Sequence, residues 1–178
     1  IDVLDVAGQP MALTAIVTNA DEIWQLDAAA LGRPPSMRSI HDELKKDAIV
    51  PPGLAAPAKV DDAARAAADK FTKGLADQQQ WGDDLGSRSD AVVIGPAGGD
   101  ITRGKSDIKK LWKKRLKANT RDSAAGDVTA SETSDGQLAW VSAPVVRFAD
   151  GDDPLPLRLF AVYEKAGDDW TMIALQDS

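Results

Sequence analysis

The 178-residue chain contains no cysteine and a single histidine, His41. The absence of cysteine excludes disulfide bonds, thiolate zinc sites and a cysteine nucleophile. With one histidine, a metal site built from several histidines is impossible, and a serine–histidine–aspartate triad would require His41. Most of the side-chain sets by which catalytic sites are identified in a sequence are therefore missing. No metal and no cofactor are predicted.

The sequence also has no excess of positive charge and no long apolar run. Its 21 Lys and Arg stand against 28 Asp and Glu, which gives a net charge of −7 and an isoelectric point near 4.7. Because binding to nucleic acids and to anionic membranes depends on clustered positive charge, neither partner is expected. No apolar run approaches the roughly 20 residues of a membrane-spanning helix, and no basic-then-apolar signal segment is present. The cytoplasm is favoured, although the chain opens at Ile1 rather than Met, which leaves open the removal of a preceding segment.

Changes in residue pattern divide the chain into three regions. Residues 1–30 predict short strands separated by turn-forming residues. Residues 31–60 contain a short predicted helix from Ser36 to Lys46, which carries His41 as a surface residue, and a linker at 50–58. The three prolines of that linker remove backbone donors and fix φ, so neither a helix nor a central strand is expected there. Residues 61–178 form the third region.

The third region predicts helices followed by a run of antiparallel strands. A helix from about residue 61 ends at Trp81, and a second begins at Ser106 with an apolar stripe. Strands are predicted at 91–94, 101–104, 126–133, 137–148, 156–164 and 170–176, with Gly- and Asp-rich turns between the later ones. This order indicates an α+β fold in which helices cover one face of a curved antiparallel sheet.

One internal repeat is visible. A shift of 146 positions aligns residues 10–30 with residues 156–176, with six identities over 21 positions, including Pro10 with Pro156 and Trp24 with Trp170. The strands of residues 1–30 are therefore either the tail of an upstream copy of the same domain or an arm that belongs to one domain. A full-length gene product without a domain before Ile1 would exclude the upstream copy.

Residues 61–178 resemble the SnoaL-like domains of the nuclear-transport-factor-2-like superfamily. The residues that carry the resemblance are the long helix ending at Gln80, the segments 84–85 and 90–96, the segment Arg103–Ile108 leading into Leu111 and Trp112, and the closing Trp170–Ser178. The resemblance implies a cystatin-like roll, a curved sheet that forms a cone covered by helices on one side. It specifies the fold and hardly the function, since this fold supports isomerases, cyclases, dehydratases, hydrolases and binding modules.

The ketosteroid isomerases of that superfamily provide a test for catalysis. They use a carboxylate base and two hydrogen-bond donors in an apolar pocket. In an alignment to those enzymes, Phe71 replaces the donor tyrosine, Gly95 the base aspartate and Ala161 the neutral aspartic acid. None of the three can supply the polar group that the reaction needs. Isomerase chemistry by that constellation is therefore not expected.

Six residues are candidates for the wall of a pocket inside the cone. The Tyr163 hydroxyl could donate to a ligand, Arg147 could hold an anionic group, and Gln176 could make a polar contact. The aromatic side chains could line the walls, and each candidate could equally be a core, surface or edge residue. The set is Phe71, Trp112, Trp140, Arg147, Tyr163 and Gln176.

Three functions are compatible with these residues. The first is a non-catalytic module that binds a small apolar or weakly anionic molecule or acts as a scaffold. The second is an isomerase, cyclase or dehydratase with an unidentified acid/base residue. The third is a dimerisation module that pairs through the sheet. An open cavity beside Tyr163 would favour an enzyme, whereas an interior filled by Phe71, Trp112 and Trp140 would favour a scaffold.

Overall fold

The computed structural model describes residues 2–6, 9–20, 23–32, 60–96, 100–133 and 135–178, and among residues 2–32 it describes only the side chains of residues 15–17. The predicted helix at 36–46, with His41, and the predicted linker at 50–58 lie outside the described residues. The helices are α1 (Arg65–Ala76), α2 (Gln78–Ser87) and α3 (Lys105–Lys117). None of the described helices is long and apolar enough to cross a membrane.

Within the described ranges, ten strands form two sheets. The strands are β1 (Asp2–Val6), β2 (Gln9–Ala20), β3 (Ile23–Gly32), β4 (Val92–Ile94), β5 (Ile101–Arg103), β6 (Arg121–Ala124), β7 (Thr129–Glu132), β8 (Leu138–Phe148), β9 (Leu155–Ala166) and β10 (Asp169–Asp177). The first three form an antiparallel sheet in the order β1-β2-β3. The others form a seven-stranded sheet in the order β5-β4-β10-β9-β8-β6, with β7 also paired to β8.

The seven-stranded sheet is mixed because β10 pairs in parallel with β4 and antiparallel with β9. The other pairings of this sheet are antiparallel. The α+β class with a curved open sheet and helices on one face is therefore confirmed, with one parallel pair added to the predicted antiparallel run. Strand β6, which the sequence analysis did not predict, pairs with the end of β8.

The first predicted helix is two helices in the structure. Asp77 separates α1 from α2 with φ −138° and ψ 88°, and its side chain accepts a hydrogen bond from the backbone N–H of Gln79. A short carboxylate at this position satisfies an N–H at the start of the new helix and favours a break there. Helix α2 then continues through residues 83–85 to Ser87.

Two glycines, one on each of the first two helices, pack directly against tryptophan rings. A Cβ at Gly74 would lie 1.7 Å from Trp81 Nε1, and one at Gly82 would lie 2.2 Å from Trp112 Cδ1. Trp112 is fixed further because its Nε1 donates to the carbonyl oxygen of Gln78 at 2.7 Å. Glycine is thus required at Gly74 and Gly82 by close packing of the helices, and this packing sets their distance from the sheet.

A β-bulge in β10 changes which side chains face the helices. The pairing of β10 with β9 shifts between Met172 and Ala174, so that Ile173 is the extra residue. Before the bulge, Met172 faces the main core; after it, Leu175 does, and Ala174 belongs to a second cluster on the opposite face. A single inserted residue reverses the alternation of a strand, because successive side chains point to opposite faces.

Candidate functional site

The inner face of the seven-stranded sheet, on which the helices pack, is filled by side chains. Phe71 of α1 and Trp81 of α2 pack against each other, with ring centroids 5.1 Å apart, above the inner residues of the strands. Phe71 and Tyr163 are both fully buried, and Trp81 is 1% exposed. Other inner residues that are almost fully buried are Leu85, Ile108, Val141, Leu157, Leu159, Met172 and Leu175. The region where a cone would hold a ligand is therefore a packed core.

Tyr163 places a hydroxyl in this core. Its oxygen is buried and makes no hydrogen bond with the described residues, and the same is true of the Trp81 indole nitrogen. Burial raises the pKa of Tyr163 well above its usual value, the charge of Asp84 raises it further, and the nearby Trp81 indole lowers it by a smaller amount. The phenol is therefore protonated at neutral pH.

Asp84 lies at the edge of this region and is held by two groups. Its carboxylate accepts a hydrogen bond from the backbone N–H of Met172 at 3.4 Å and pairs with Lys70 Nζ at 3.3 Å. Both side chains are partly exposed, and Lys70 also donates to the carbonyl oxygen of Trp170. Asp84 thus joins α2 to the start of β10.

Four buried charged side chains form a network on the same inner face: Arg115, Asp122, Arg147 and Asp177. The Arg147 guanidinium makes two hydrogen bonds to Asp122, at 2.7 and 2.8 Å, and a third to Asp177. Arg115 of α3 donates to the same Asp177 oxygen at 2.8 Å. The side chains of Asp122 and Asp177 have no exposed area, and those of the two arginines are 11% exposed. The network therefore contains two positive and two negative charges and is neutral.

The pKa values of this network follow from burial and pairing. Burial alone would raise the pKa of Asp177, but the Arg147 and Arg115 charges hold it below its usual value. For Arg147, burial lowers the pKa and the two carboxylates raise it by more, so the guanidinium stays charged. Burial lowers the pKa of Arg115, which has Asp177 as its hydrogen-bonded partner and Arg147 as a nearby like charge.

Two clefts open at the surface on either side of α3. One, of about 270 Å³, is bordered by Lys114, Arg115, Asp100 and Asp152, and the other, of about 370 Å³, runs over Trp112 between α2 and α3. Tyr163 and Arg147 line neither cleft. Among the residues that the structure describes, no group of three or more His, Cys, Asp or Glu side chains is arranged to hold a metal ion.

The outer face of the sheet, which we call the convex face, carries a second apolar cluster. Phe160, Val162 and Ala174 form it together with Ile16 of β2, and Leu138, Trp140 and Ile173 pack against it. The rings of Trp140 and Phe160 stack, with centroids 6.0 Å apart and an interplanar angle of 17°. The convex face is thus apolar over three adjacent strands and is in contact with the N-terminal sheet.

The six residues predicted to line a pocket do not all lie on the same face of the seven-stranded sheet. Phe71, Tyr163 and Arg147 lie on the inner side of the sheet, and Trp112 is buried between α2 and α3. Trp140 lies on the convex face, because residues of β8 with even numbers point away from the helices. Gln176 is also placed there, since it pairs with Phe160 and directly opposed residues share a face.

The position of Gln176 has a simple cause. The bulge at Ile173 reverses the phase of β10, so that Gln176 faces outward and Asp177 faces inward. The charges of Asp122, Asp177 and Arg115 were not identified because a lone charge in a strand or helix pattern gives no signal of pairing. Trp81 was likewise read only as the end of a helix, although its spacing from Phe71 and Gly74 could have indicated packing.

Comparisons with known proteins agree with this architecture. Residues 63–178 match the SnoaL-like domain family. No curated protein matches the chain. A proposed calcium/calmodulin dependent protein kinase II association domain from Xanthomonas campestris has a TM-score of 0.53 and 17% identity, over 69% of this chain and 91% of that one. At such a low sequence identity, the similarity shows a shared fold and nothing further.

Two further solved structures have lower scores. A protein of unknown function with a cystatin-like fold from Nostoc punctiforme has a TM-score of 0.44 and 16% identity, over 62% of this chain and 83% of that one. A proposed ketosteroid isomerase from Parabacteroides distasonis has a TM-score of 0.48 and 13% identity, over 63% and 83%. With the family match over 63–178 and the helix-covered sheet described above, the chain belongs to the SnoaL-like domain family.

Proposed function

We propose that the chain is a non-catalytic scaffold module in which the inner face stabilises the sheet and the convex face makes the functional contact. The observation that carries this proposal is that the inner face is occupied by the protein's own side chains. Phe71, Trp81 and Tyr163 fill its apolar part, and Arg147 is neutralised by Asp122 and Asp177.

Two ionisable groups of the inner face, Tyr163 and Asp177, also do not suit acid/base chemistry at neutral pH. A general acid or base is most effective when its pKa lies near the working pH. The pKa of Tyr163 is moved up, away from neutrality, and that of Asp177 is moved down. Arg147, which was predicted to hold an anionic group, already has its guanidinium occupied by two carboxylates.

A second candidate function is the binding of a small apolar molecule with one polar group. The unpartnered hydroxyl of Tyr163 favours it, because a buried polar atom without a hydrogen bond is costly and a ligand could satisfy it. Such a ligand would have to displace part of the packed core around Phe71 and Trp81, since neither surface cleft is lined by Tyr163.

Native mass spectrometry of freshly purified protein separates the two candidates. We expect the scaffold module to give the mass of the polypeptide without a retained small molecule. A retained molecule that is lost in Tyr163→Phe, but kept in the outer-face control Trp140→Phe, would establish the second candidate and overturn the first. Addition of small apolar alcohols and ketones to the same sample, with thermal unfolding as the readout, extends the test to weakly held ligands.

A further inference from the structure

The hairpin β2–β3 reproduces the hairpin β9–β10 residue by residue. A shift of 146 positions carries the pair Ile16–Ala28 onto Val162–Ala174. Of the nine β2–β3 pairs, eight have a counterpart in the β9–β10 register. The ninth corresponds to the two backbone hydrogen bonds between Arg158 and Ser178. The sequence repeat at residues 10–30 and 156–176 is therefore also a repeat of strand pairing.

The repeat includes the irregularity. The β2–β3 register shifts between Ile16 and Val17, and the counterpart shift in β9–β10 lies at the same aligned place, where Tyr163 pairs with Met172. A bulge inserts one residue and changes the face of every later side chain, so its position is a specific feature of a hairpin. Six identities in an alanine-rich segment are weak evidence of duplication, whereas a shared register with a shared bulge is much stronger.

Ile16 is buried like its counterpart Val162, whereas Val17 differs in exposure from its counterpart Tyr163. Ile16 is 3% exposed and lies in the convex-face cluster that contains its own counterpart, Val162. Val17 is 48% exposed, although its counterpart Tyr163 is fully buried beneath helices. At these two positions the hairpin thus buries the side that is convex in the domain and leaves exposed the side that helices cover there.

We infer that β2–β3 is the closing hairpin of a second copy of this domain. The hairpin occupies the convex face of the seven-stranded sheet as a complete second copy would, with the convex faces of the two copies in contact. The inference names a second copy of the domain as the partner in the proposed scaffold function. It rests on that proposed function for the role of the convex face. In an interface with two-fold symmetry, a residue near the axis meets its own counterpart, as Ile16 meets the cluster of Val162. The remainder of the second copy would supply the helices that cover Val17.

Chemical crosslinking in the full chain tests this contact. The chain has no cysteine, so two introduced thiols are the only ones present. The variant Ile16→Cys with Val162→Cys is treated with a bismaleimide whose spacer matches the roughly 10 Å between packed sheets. The matched control is Val17→Cys with Val162→Cys, because Val17 lies next to Ile16 in sequence and points away from the contact.

We expect crosslinking within one chain at a yield at least about five-fold above the control, since only the buried position faces Val162 across the sheets. Intact-mass and peptide analysis distinguish links within a chain from links between chains. Equal yields in the two double variants, or links found only between chains, would overturn the inference. A ligand retained in native mass spectrometry would overturn the scaffold function while leaving this crosslink unchanged, so the two failures are distinguishable.

Hydrogen exchange provides a second measurement that does not depend on thiol reactivity. In Ile16→Asp, a charge enters the apolar contact, and we expect amide protection in β2–β3 to fall at least about tenfold, because a small isolated sheet is marginal in water. Protection in β9–β10 should persist, which shows that the domain remains folded. Val17→Asp should leave both hairpins protected. Equal protection of β2–β3 in the two variants would show that the contact does not hold the hairpin and would contradict the inference.

Discussion

Arg147 and Asp177 form an ion pair on the inner face of the sheet although their strands, β8 and β10, are separated by β9. The pair depends on the bulge at Ile173, which turns Asp177 toward the helices. Arg115 reaches the same carboxylate from α3, so one aspartate joins two strands and a helix. This arrangement leads to two predictions, one for a substitution and one for pH.

Removal of the Asp177 charge should destabilise the protein strongly. Asp177→Asn leaves Arg115 without its carboxylate and Arg147 with Asp122 alone, and breaking one partner of a buried pair costs about 3–5 kcal/mol. We expect a decrease of about 3 kcal/mol in the free energy of unfolding, measured by urea denaturation. The control Asp62→Asn removes an exposed partner of Arg65 and should change the free energy of unfolding little, because solvent screens an exposed pair. Equal effects of the two substitutions would contradict the assigned role.

The same carboxylate should give a defined dependence of stability on acid. The pKa of Asp177 is lower in the folded state than its usual value near 3.9, so the folded state favours the charged form. Its contribution to stability is therefore complete above about pH 4–5 and is lost as pH falls through the folded pKa. The free energy of unfolding of the wild type should decrease more steeply below about pH 4 than that of Asp177→Asn. Parallel curves would show that Asp177 has an ordinary pKa.

Removal of the Tyr163 hydroxyl should stabilise the protein. The oxygen has no hydrogen-bond partner among the described residues, and an unsatisfied buried polar group costs about 1–3 kcal/mol. Tyr163→Phe keeps the ring that fills the core, so we expect the free energy of unfolding to rise by about 1 kcal/mol. Tyr163→Leu, which removes the ring, should lower it. A loss of stability in Tyr163→Phe would contradict this prediction and show that the hydroxyl has a partner, such as the Trp81 indole N–H, a buried water or a ligand.

The glycines of α2 give a matched pair of substitutions. A Cβ at Gly82 would lie 2.2 Å from the buried Trp112 ring, whereas one at Gly86 would lie 3.0 Å from the flexible side chain of Lys109. Alanine favours a helix over glycine by about 1 kcal/mol, but overpacking costs about 1–3 kcal/mol or more. Thermal unfolding should show a lower midpoint for Gly82→Ala and little change or a gain for Gly86→Ala. A gain in both would exclude close packing of Trp112 on Gly82.

The fold class could be predicted because periodicity and turn residues extend over long segments. Strands β8, β9 and β10 were predicted within two residues at each end, whereas β7 begins three residues later than predicted. The resemblance over 61–178 corresponds to the family match over 63–178. The break at Asp77 and the short strand β6 were missed. Both depend on one capping side chain or one edge pairing, and neither produces a periodic pattern.

The composition of the inner face was less predictable than the fold. Phe71, Trp112 and Tyr163 were predicted as candidates for a pocket wall, but nothing in the alternation of β10 marks Ile173 as an extra residue. Without that bulge, Gln176 takes the inner position and Asp177 the outer one. One inserted residue thus decides whether the interior of this strand ends in a neutral amide or in a carboxylate that pairs with two arginines.

The position of β10 in the sheet has a consequence for the synthesis of the protein. This strand comes last among the described strands, yet it is inserted between β4 and β9 and is hydrogen-bonded on both sides. During synthesis, the edges of β4 and β9 that pair with β10 therefore remain unpaired until residues 169–177 emerge from the ribosome. Closure is then a late and largely non-local event, which slows folding.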